Sequence, residues 1–277
     1  MSERTTAPFG RRRARVLGRT EHGAYTVLRC SDPDGPVPNA GQFYMLSTAE
    51  RWGGGVGERP FLPRAFSVMR ARPTGGRTGS AAGAVLEFLL EDVGPGTRRL
   101  CEIGAGEELL LTGPLGIGFT APEGGRRALL VGGGVGIAPL AIWQDELGAG
   151  TPALLGFRDA EHAKGAGLLD GAAVATDDGS VGHHGLVTEL LAAELDADTD
   201  AMVYACGPPA MLEAVRALCA ERSVDAQLAL ESGMACGFGA CFGCVVPTRD
   251  GYLRLCVDGP VLDAAALETA IAAGAGH

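Results

Sequence analysis

Lysine is almost missing from this chain: of 23 basic residues only Lys164 is a lysine, and all the others are arginine. Aromatic residues are scarce at 5%, whereas glycine takes 44 of 277 positions, which predicts many tight turns and close backbone approaches. No apolar run reaches the roughly 18 residues that a membrane-spanning helix needs. The Arg11-Arg12-Arg13 cluster is not followed by an apolar stretch, so it does not read as a secretory or twin-arginine signal. These absences describe a soluble, cytoplasmic protein. Internal repeats are also lacking. What remains, 46% hydrophobic and 20% charged residues, is enough to bury a core and excludes wholesale disorder.

A net charge of −10 argues against a nucleic-acid binder, whose affinity rests on neutralising phosphates. The charge is unevenly placed. Residues 1–120 hold 15 basic and 12 acidic side chains (+3), whereas residues 121–277 hold 8 and 21 (−13). The split suggests two units with different surfaces, one of them matched to a partner or simply presenting a solvated acidic face.

At about 100–200 residues per domain, the length predicts about two full-sized domains. The pattern changes near Pro122-Glu123-Gly124-Gly125. Before it, residues 1–13 read as a frayed polar end, followed by short β-type runs. They include Ala24–Leu28, Phe43–Leu46, Ala65–Val68, Val85–Leu90 and Leu109–Leu111, with turn clusters at Asp32–Gly41, Gly53–Gly57 and Pro73–Gly83. Short strands without a long helical period predict an antiparallel β-barrel or sandwich over residues 10–120, with a flexible hairpin loop at Gly75–Gly83. After the change, strand runs at Ala128–Val131, Pro152–Gly156, Ala172–Thr176 and Ala201–Ala205 alternate with helical segments running to Leu147, at Gly185–Leu195 and at Ala210–Ala220. That alternation predicts a doubly wound α/β unit over residues 121–223. Residues 224–277, rich in glycine and cysteine at first, form a small third unit.

Four segments carry chemistry. Gly132-Gly133-Gly134-Val135-Gly136 follows a strand and opens a helix, so its amides can meet a phosphate-bearing ligand; a plain tight turn is the rival reading. Tyr204-Ala205-Cys206-Gly207-Pro208 ends another strand of the same kind, where open α/β sheets bind ligands; a buried structural cysteine and a turn explain it equally well. Arg64-Ala65-Phe66-Ser67 offers a phosphate-pairing guanidinium, a ring to cover a flat ligand and a hydroxyl, although any half-buried strand alternates in this way. Downstream in the same unit, and counted with that third segment, Leu89-Leu90-Glu91 leads into Gly94-Pro95-Gly96-Thr97, a turn with amides and a hydroxyl for a second phosphate contact.

The fourth segment is the most specific. Of eight cysteines, Cys30, Cys101, Cys206 and Cys219 are scattered, while Cys236, Cys241, Cys244 and Cys256 follow one another at spacings x4, x2 and x11. The x4 and x2 spacings match plant-type [2Fe–2S] ligation, and the glycine-rich loop can wrap a cluster. Structural zinc more often uses two paired Cys-x2-Cys knuckles, and one is present here. Cys30, Cys101 and Cys219 read as small core residues.

Taken together, the four segments resemble the ferredoxin–NAD(P)+ reductase superfamily over about residues 15–262. Within it the chain is similar to the family of electron-transfer subunits of NAD-dependent dihydroorotate dehydrogenases. The family reading rests on Glu231-x2-Met234-Ala235-Cys236-Gly237-x-Gly239-Ala240-Cys241-x2-Cys244 and on Cys256-x-Asp258-Gly259-Pro260-Val261. The resemblance implies that Arg64, Ala65, Phe66, Ser67, Leu89, Leu90, Glu91, Gly94, Gly96 and Thr97 bind FAD. It implies that Gly133, Gly134, Gly136, Cys206, Gly207 and Pro208 bind NAD, and that the four clustered cysteines hold [2Fe–2S]. Pro63-Arg64-Ala65 departs from a more usual Arg-Arg-Pro, and the Gly75–Gly83 insertion is long.

The resemblance further implies a partner: an FMN-containing dihydroorotate dehydrogenase catalytic subunit, assembled with this chain as a heterotetramer serving pyrimidine biosynthesis. Electrons would pass from FMN through the cluster and FAD to NAD+. Nothing in the chain resembles a dihydroorotate site. A reductase subunit of another complex and a zinc-stabilised adaptor are the competing readings. For the nucleotide, no arginine pair follows the second strand of the α/β unit, though Arg158 stands where a 2′-phosphate would be met.

Overall fold

The computed structural model describes residues 10–50, 52, 62–74 and 83–271. The expected turn at Gly53–Gly57, the hairpin loop at Gly75–Gly83 apart from Gly83, and residues 1–9 lie outside the described residues.

Six antiparallel strands close the first unit into a barrel: β1 (Arg12–His22), β2 (Tyr25–Asp32), β3 (Phe43–Thr48), β4 (Arg64–Pro73), β5 (Ala84–Glu91) and β6 (Glu108–Leu115), in the order β1-β2-β5-β4-β3-β6. Alternation drives the closure. Ala84, Leu86, Phe88 and Leu90 of β5 are all buried, and Phe88 sits opposite Leu28 of β2. Arg12 and Arg13 belong to β1 and pair with Leu111 and Leu110 of β6, so the fraying expected as far as residue 13 stops short of them. The anchor is ionic: Arg12 Nη2 donates to the buried Asp32 carboxylate at 2.7 Å and to the Gly113 carbonyl at 2.7 Å.

A helix that the strand pattern did not reveal, α1 (Pro95–Glu102), follows β5. The expected Gly-x-Gly-Thr turn is its first turn. Proline suits the first helical position, and Thr97 Oγ1 accepts from the amides of Val93 (2.9 Å) and Gly94 (3.0 Å). Eight residues are too few for a helical period to show in sequence.

The second unit runs β7 (Arg127–Gly133), α2 (Ala138–Leu147), β8 (Ala153–Phe157), the single turn α3 (Ala160–Ala163), β9 (Ala173–Thr176), β10 (His183–His184), α4 (Val187–Ala197), β11 (Ala201–Cys206), α5 (Pro209–Arg222) and β12 (Asp225–Ala229). Its sheet order is β10-β9-β8-β7-β11-β12, parallel throughout. The central strands read as continuous apolar runs because both faces are covered; every residue of β11 is buried. From β7 the chain first winds one way, through β8 to β10, and then returns to place β11 on its other side. The crevice between the ends of β7 and β11 is therefore the topological switch point, where such sheets bind ligands.

Residues 230–271 add a hairpin of β13 (Val245–Thr248) and β14 (Gly251–Arg254), the turn α6 (Leu255–Asp258) and β15 (Val261–Asp263). Sequence pattern groups residues 224–277 as a separate unit, but β12 and β15 are strands of the large sheet, with β15 antiparallel at its edge. The cysteine loop is pressed on the barrel as well. A Cβ at Gly237 would lie 2.6 Å from Met45 Cγ, and Ile117 N donates to the Gly259 carbonyl at 2.5 Å. No helix among the described residues is long and apolar enough to cross a membrane.

Candidate functional site

At the switch point the two glycine turns touch. Cys206 pairs with Gly132 across the β11–β7 register, and a Cβ at Gly136 would lie 2.5 Å from the Cys206 carbonyl oxygen and 2.5 Å from Gly207 Cα. Only glycine lets these backbones approach so closely. Beside them opens a pocket of about 480 Å³ lined by Gly133, Gly134 and Pro208, by Arg158 and His162 after β8, and by Tyr25 and Glu91 from the barrel. Gly136, Cys206 and Gly207 shape its wall from behind and do not line it. Cys206 is buried, and burial, together with the charge of Glu231, raises its thiol well above the ordinary range. Glu91, expected with the FAD residues, belongs to this pocket.

A second cleft runs between barrel and sheet in two adjoining parts. The inner part, about 180 Å³, is lined by Ala65, Phe66, Ser67 and Leu89, by Val135 and Pro139 before and within α2, and by Glu231, Ser232 and Met234. The outer part, about 620 Å³, is lined by Arg64, Gly94, Gly96 and Thr97 and again by Glu231, Ser232 and Met234. Arg64 lies against the first turn of α1: a Cβ at Gly96 would meet its Nε at 2.8 Å, while Gly94 has open space around it. The helix N-terminus adds free amides and positive potential at that end. Thr97 has its hydroxyl engaged in the turn, donating to the Gly94 carbonyl at 3.0 Å. Leu90 is fully buried in the barrel core and lines neither part.

The four clustered cysteines come together as two pairs. Cys244 Sγ lies 3.3 Å from Cys256 Sγ, and the Cys236 and Cys241 thiols hydrogen-bond to each other. Partial burial opposes ionisation of Cys236, but amides of Phe238, Cys241 and Ala240 and the Cys241 thiol bring it down to about 6. Burial and the neighbouring Cys244 push Cys256 up to about 12. Among the described residues, no group of three or more Cys, His, Asp or Glu side chains is arranged to hold a metal ion. Of the scattered cysteines, Cys30 and Cys219 are buried in the core and Cys101 is half-buried.

Several lining residues had no sequence signal of their own. Tyr25 is buried with its hydroxyl lacking a partner beside the first glycine turn. Ser232 carries a buried, unpartnered hydroxyl, and Glu231 opens onto the cleft while loss of water on its protein side pushes its carboxyl up to about 7. Glu231 stood in the cysteine motif without a role; only the cleft gives it one.

Residues 231–268 match the model of the iron–sulfur cluster binding domain of dihydroorotate dehydrogenase B. The electron transfer subunit of dihydroorotate dehydrogenase B (NAD+) from Caldanaerobacter subterraneus is 35% identical over 258 residues, covering 90% of this chain and 95% of the relative. That of Clostridium perfringens is 34% identical, covering 83% of this chain and 87% of its own length. Among solved structures, the NADH-dependent reduced ferredoxin–NADP oxidoreductase, studied for flavin-based electron bifurcation, superposes with a TM-score of 0.72 at 25% identity, over 92% of this chain and 90% of that one. The chain belongs to the family of dihydroorotate dehydrogenase B (NAD+) electron-transfer subunits.

Proposed function

We propose that this chain relays electrons between a catalytic partner and NAD, holding FAD in the barrel cleft, NAD in the switch-point pocket and a [2Fe–2S] cluster on the cysteine loop. One observation carries the reading: Glu231, Ser232 and Met234 line both parts of the barrel cleft, Ala235 lines the outer part, and the next residue is Cys236. Cluster ligand and flavin cleft are therefore consecutive in the chain.

The residues fit each group. For FAD, Arg64 and the α1 amides stand ready for the diphosphate, Phe66 and Pro139 flank the inner part, and Ser232, whose buried hydroxyl has no partner, lines both parts. For the cluster, two cysteine pairs match a group of two irons, each taking two thiolates, better than one tetrahedral ion. For NAD, the close-packed glycine turns bring backbone amides to the pocket edge, and the Tyr25 hydroxyl lies buried without a partner beside Gly134. When bound, the flavin supplies the exchange between single electrons and hydride that neither cluster nor nicotinamide performs alone. This chain's residues would set positions: α1 and Arg64 would hold the flavin's charged end, and Gly133 and Gly134 would hold the dinucleotide.

The partner we infer is an FMN-containing dihydroorotate dehydrogenase subunit, joined as a heterotetramer. Phe238, Phe242 and Tyr252 on the cysteine loop and its hairpin are 50%, 63% and 77% exposed, an apolar face suited to docking beside the cluster. Chain purified alone should oxidise NADH with artificial acceptors and leave dihydroorotate untouched. Adding the catalytic subunit should confer NAD+-dependent dihydroorotate oxidation. Unaided turnover of dihydroorotate by this chain would overturn the two-subunit reading, and stoichiometric zinc without acid-labile sulfide would overturn the relay.

A further inference from the structure

The switch-point pocket brings together two features that nucleotide recognition treats as alternatives. In doubly wound folds, an acid about 20 residues past the glycine turn bonds the ribose 2′-hydroxyl of NAD, whereas an arginine nearby accommodates the 2′-phosphate of NADP. Here Arg158 and Asp159 stand side by side after β8. Both are already engaged. Asp159 Oδ1 accepts from the His162 amide at 3.0 Å and lies 2.7 Å from His162 Nδ1. Arg158 Nη2 donates to Glu91 Oε1 at 2.7 Å, and the same carboxylate oxygen lies 3.2 Å from His162 Nε2.

Glu91 is foreign to the nucleotide fold: it ends β5 of the barrel, 67 residues earlier in the chain. Its side chain is 19% exposed, while that of Arg158 is 62% exposed, so the carboxylate is enclosed by protein and the guanidinium is the member open to solvent. Below it, the edge of the Tyr25 ring packs on His162, with centroids 5.6 Å apart, and holds the imidazole against Glu91.

We propose that Glu91 makes this pocket selective for the dinucleotide without a 2′-phosphate, by occupying the arginine that such a phosphate would need. The inference rests on the assignment of the pocket to NAD. The charge balance points the same way. Glu91 and Asp177 in the lining face one arginine, and a 2′-phosphate would bring about −1.5 to −2 further charges into that setting. Removing the Glu91 charge would release Arg158 Nη2 from its carboxylate partner and lift one repulsion, while Nε keeps His162 at 2.9 Å and Asp159 Oδ2 at 3.8 Å.

The test is calorimetric titration of NAD+ and NADP+ into the oxidised protein loaded with FAD and cluster, where no electron transfer intervenes. The parent protein should prefer NAD+. Glu91→Gln should raise the ratio of NADP+ to NAD+ affinity on the order of tenfold, the size of one freed charge-assisted contact discounted for exposure. Glu91→Asp, which keeps the charge, should retain the parent preference, and Glu91→Gln combined with Arg158→Ala should lose the gain. Parent-like selectivity in Glu91→Gln, or a gain that survives loss of Arg158, would overturn the proposal while leaving the pocket assigned to NAD. A parent protein that binds neither dinucleotide would overturn both.

Discussion

The thiols of Cys244 and Cys256 lie 3.3 Å apart although eleven residues separate them, because the β13–β14 hairpin folds the chain back on itself. The backbone holds them there: Leu255 N donates to the Cys244 carbonyl at 3.0 Å, and the Cys256 amide points at Cys244 Sγ from 3.5 Å. The x11 spacing is thus the length of a hairpin, and the meeting of this pair of thiols is set by strand register.

Replacing any one of Cys236, Cys241, Cys244 or Cys256 with Ala should abolish the reduced-state electron paramagnetic resonance signal and keep flavin absorbance, since the barrel cleft lies beside the loop and not on its thiols. Cys30→Ala and Cys219→Ala should keep the signal; both are core residues that cost stability alone. A signal that disappears with Cys219 and persists without Cys256 would refute the ligand set.

Arg64→Ala should weaken FAD binding by about 1.5–3 kcal/mol, the usual worth of a hydrogen bond to a charged group. Flavin fluorescence released on dilution measures it. Unchanged retention would mean that the α1 amides alone hold the diphosphate.

Gly136→Ala should disturb the switch point more than the barrel. The added methyl has no room against the Cys206 carbonyl and Gly207, and forced overpacking costs about 1–3 kcal/mol. Loss of NAD+ affinity with normal flavin content is the expected result, read by calorimetry and absorbance on the same sample.

The hydrogen bond from Arg216, followed by those from the Ala270 amide and the Thr269 hydroxyl, brings the Glu213 carboxyl down to about 2 despite some burial. A depressed carboxyl binds fewer protons folded than unfolded. Its stabilisation is therefore complete above the ordinary carboxylate pKa and is lost as pH falls from about 4.5 towards 2. With the side chain 27% exposed, solvent screening leaves about 1–2 kcal/mol of this at neutral pH. Glu213→Gln should lower the urea midpoint at pH 7 and match the parent near pH 2; an equal deficit at both would exclude the ionic cause.

The sequence alone determined what is local. Ligand spacing, the two glycine turns and the Arg64–Ser67 strand each lie within a few residues, so composition and order are enough to state them. Barrel and parallel sheet were legible for the same reason: alternation marks strands with one buried face, and continuous apolar runs mark strands buried on both. Where local signal is thin, elements stay hidden. Helix α1 was too short to show a period, and the strands β12 and β15 were hidden beside the louder cysteine motif. Only the tertiary structure decided which distant residues share a site. Barrel closure carries Glu91 to Arg158 and Tyr25 to His162, and the packing of the cysteine loop on β3 sets Glu231 and Ser232 in the barrel cleft. Those encounters depend on register and on the docking of one sheet against another. No spacing along the chain encodes them, because they bring together elements 67 or more residues apart.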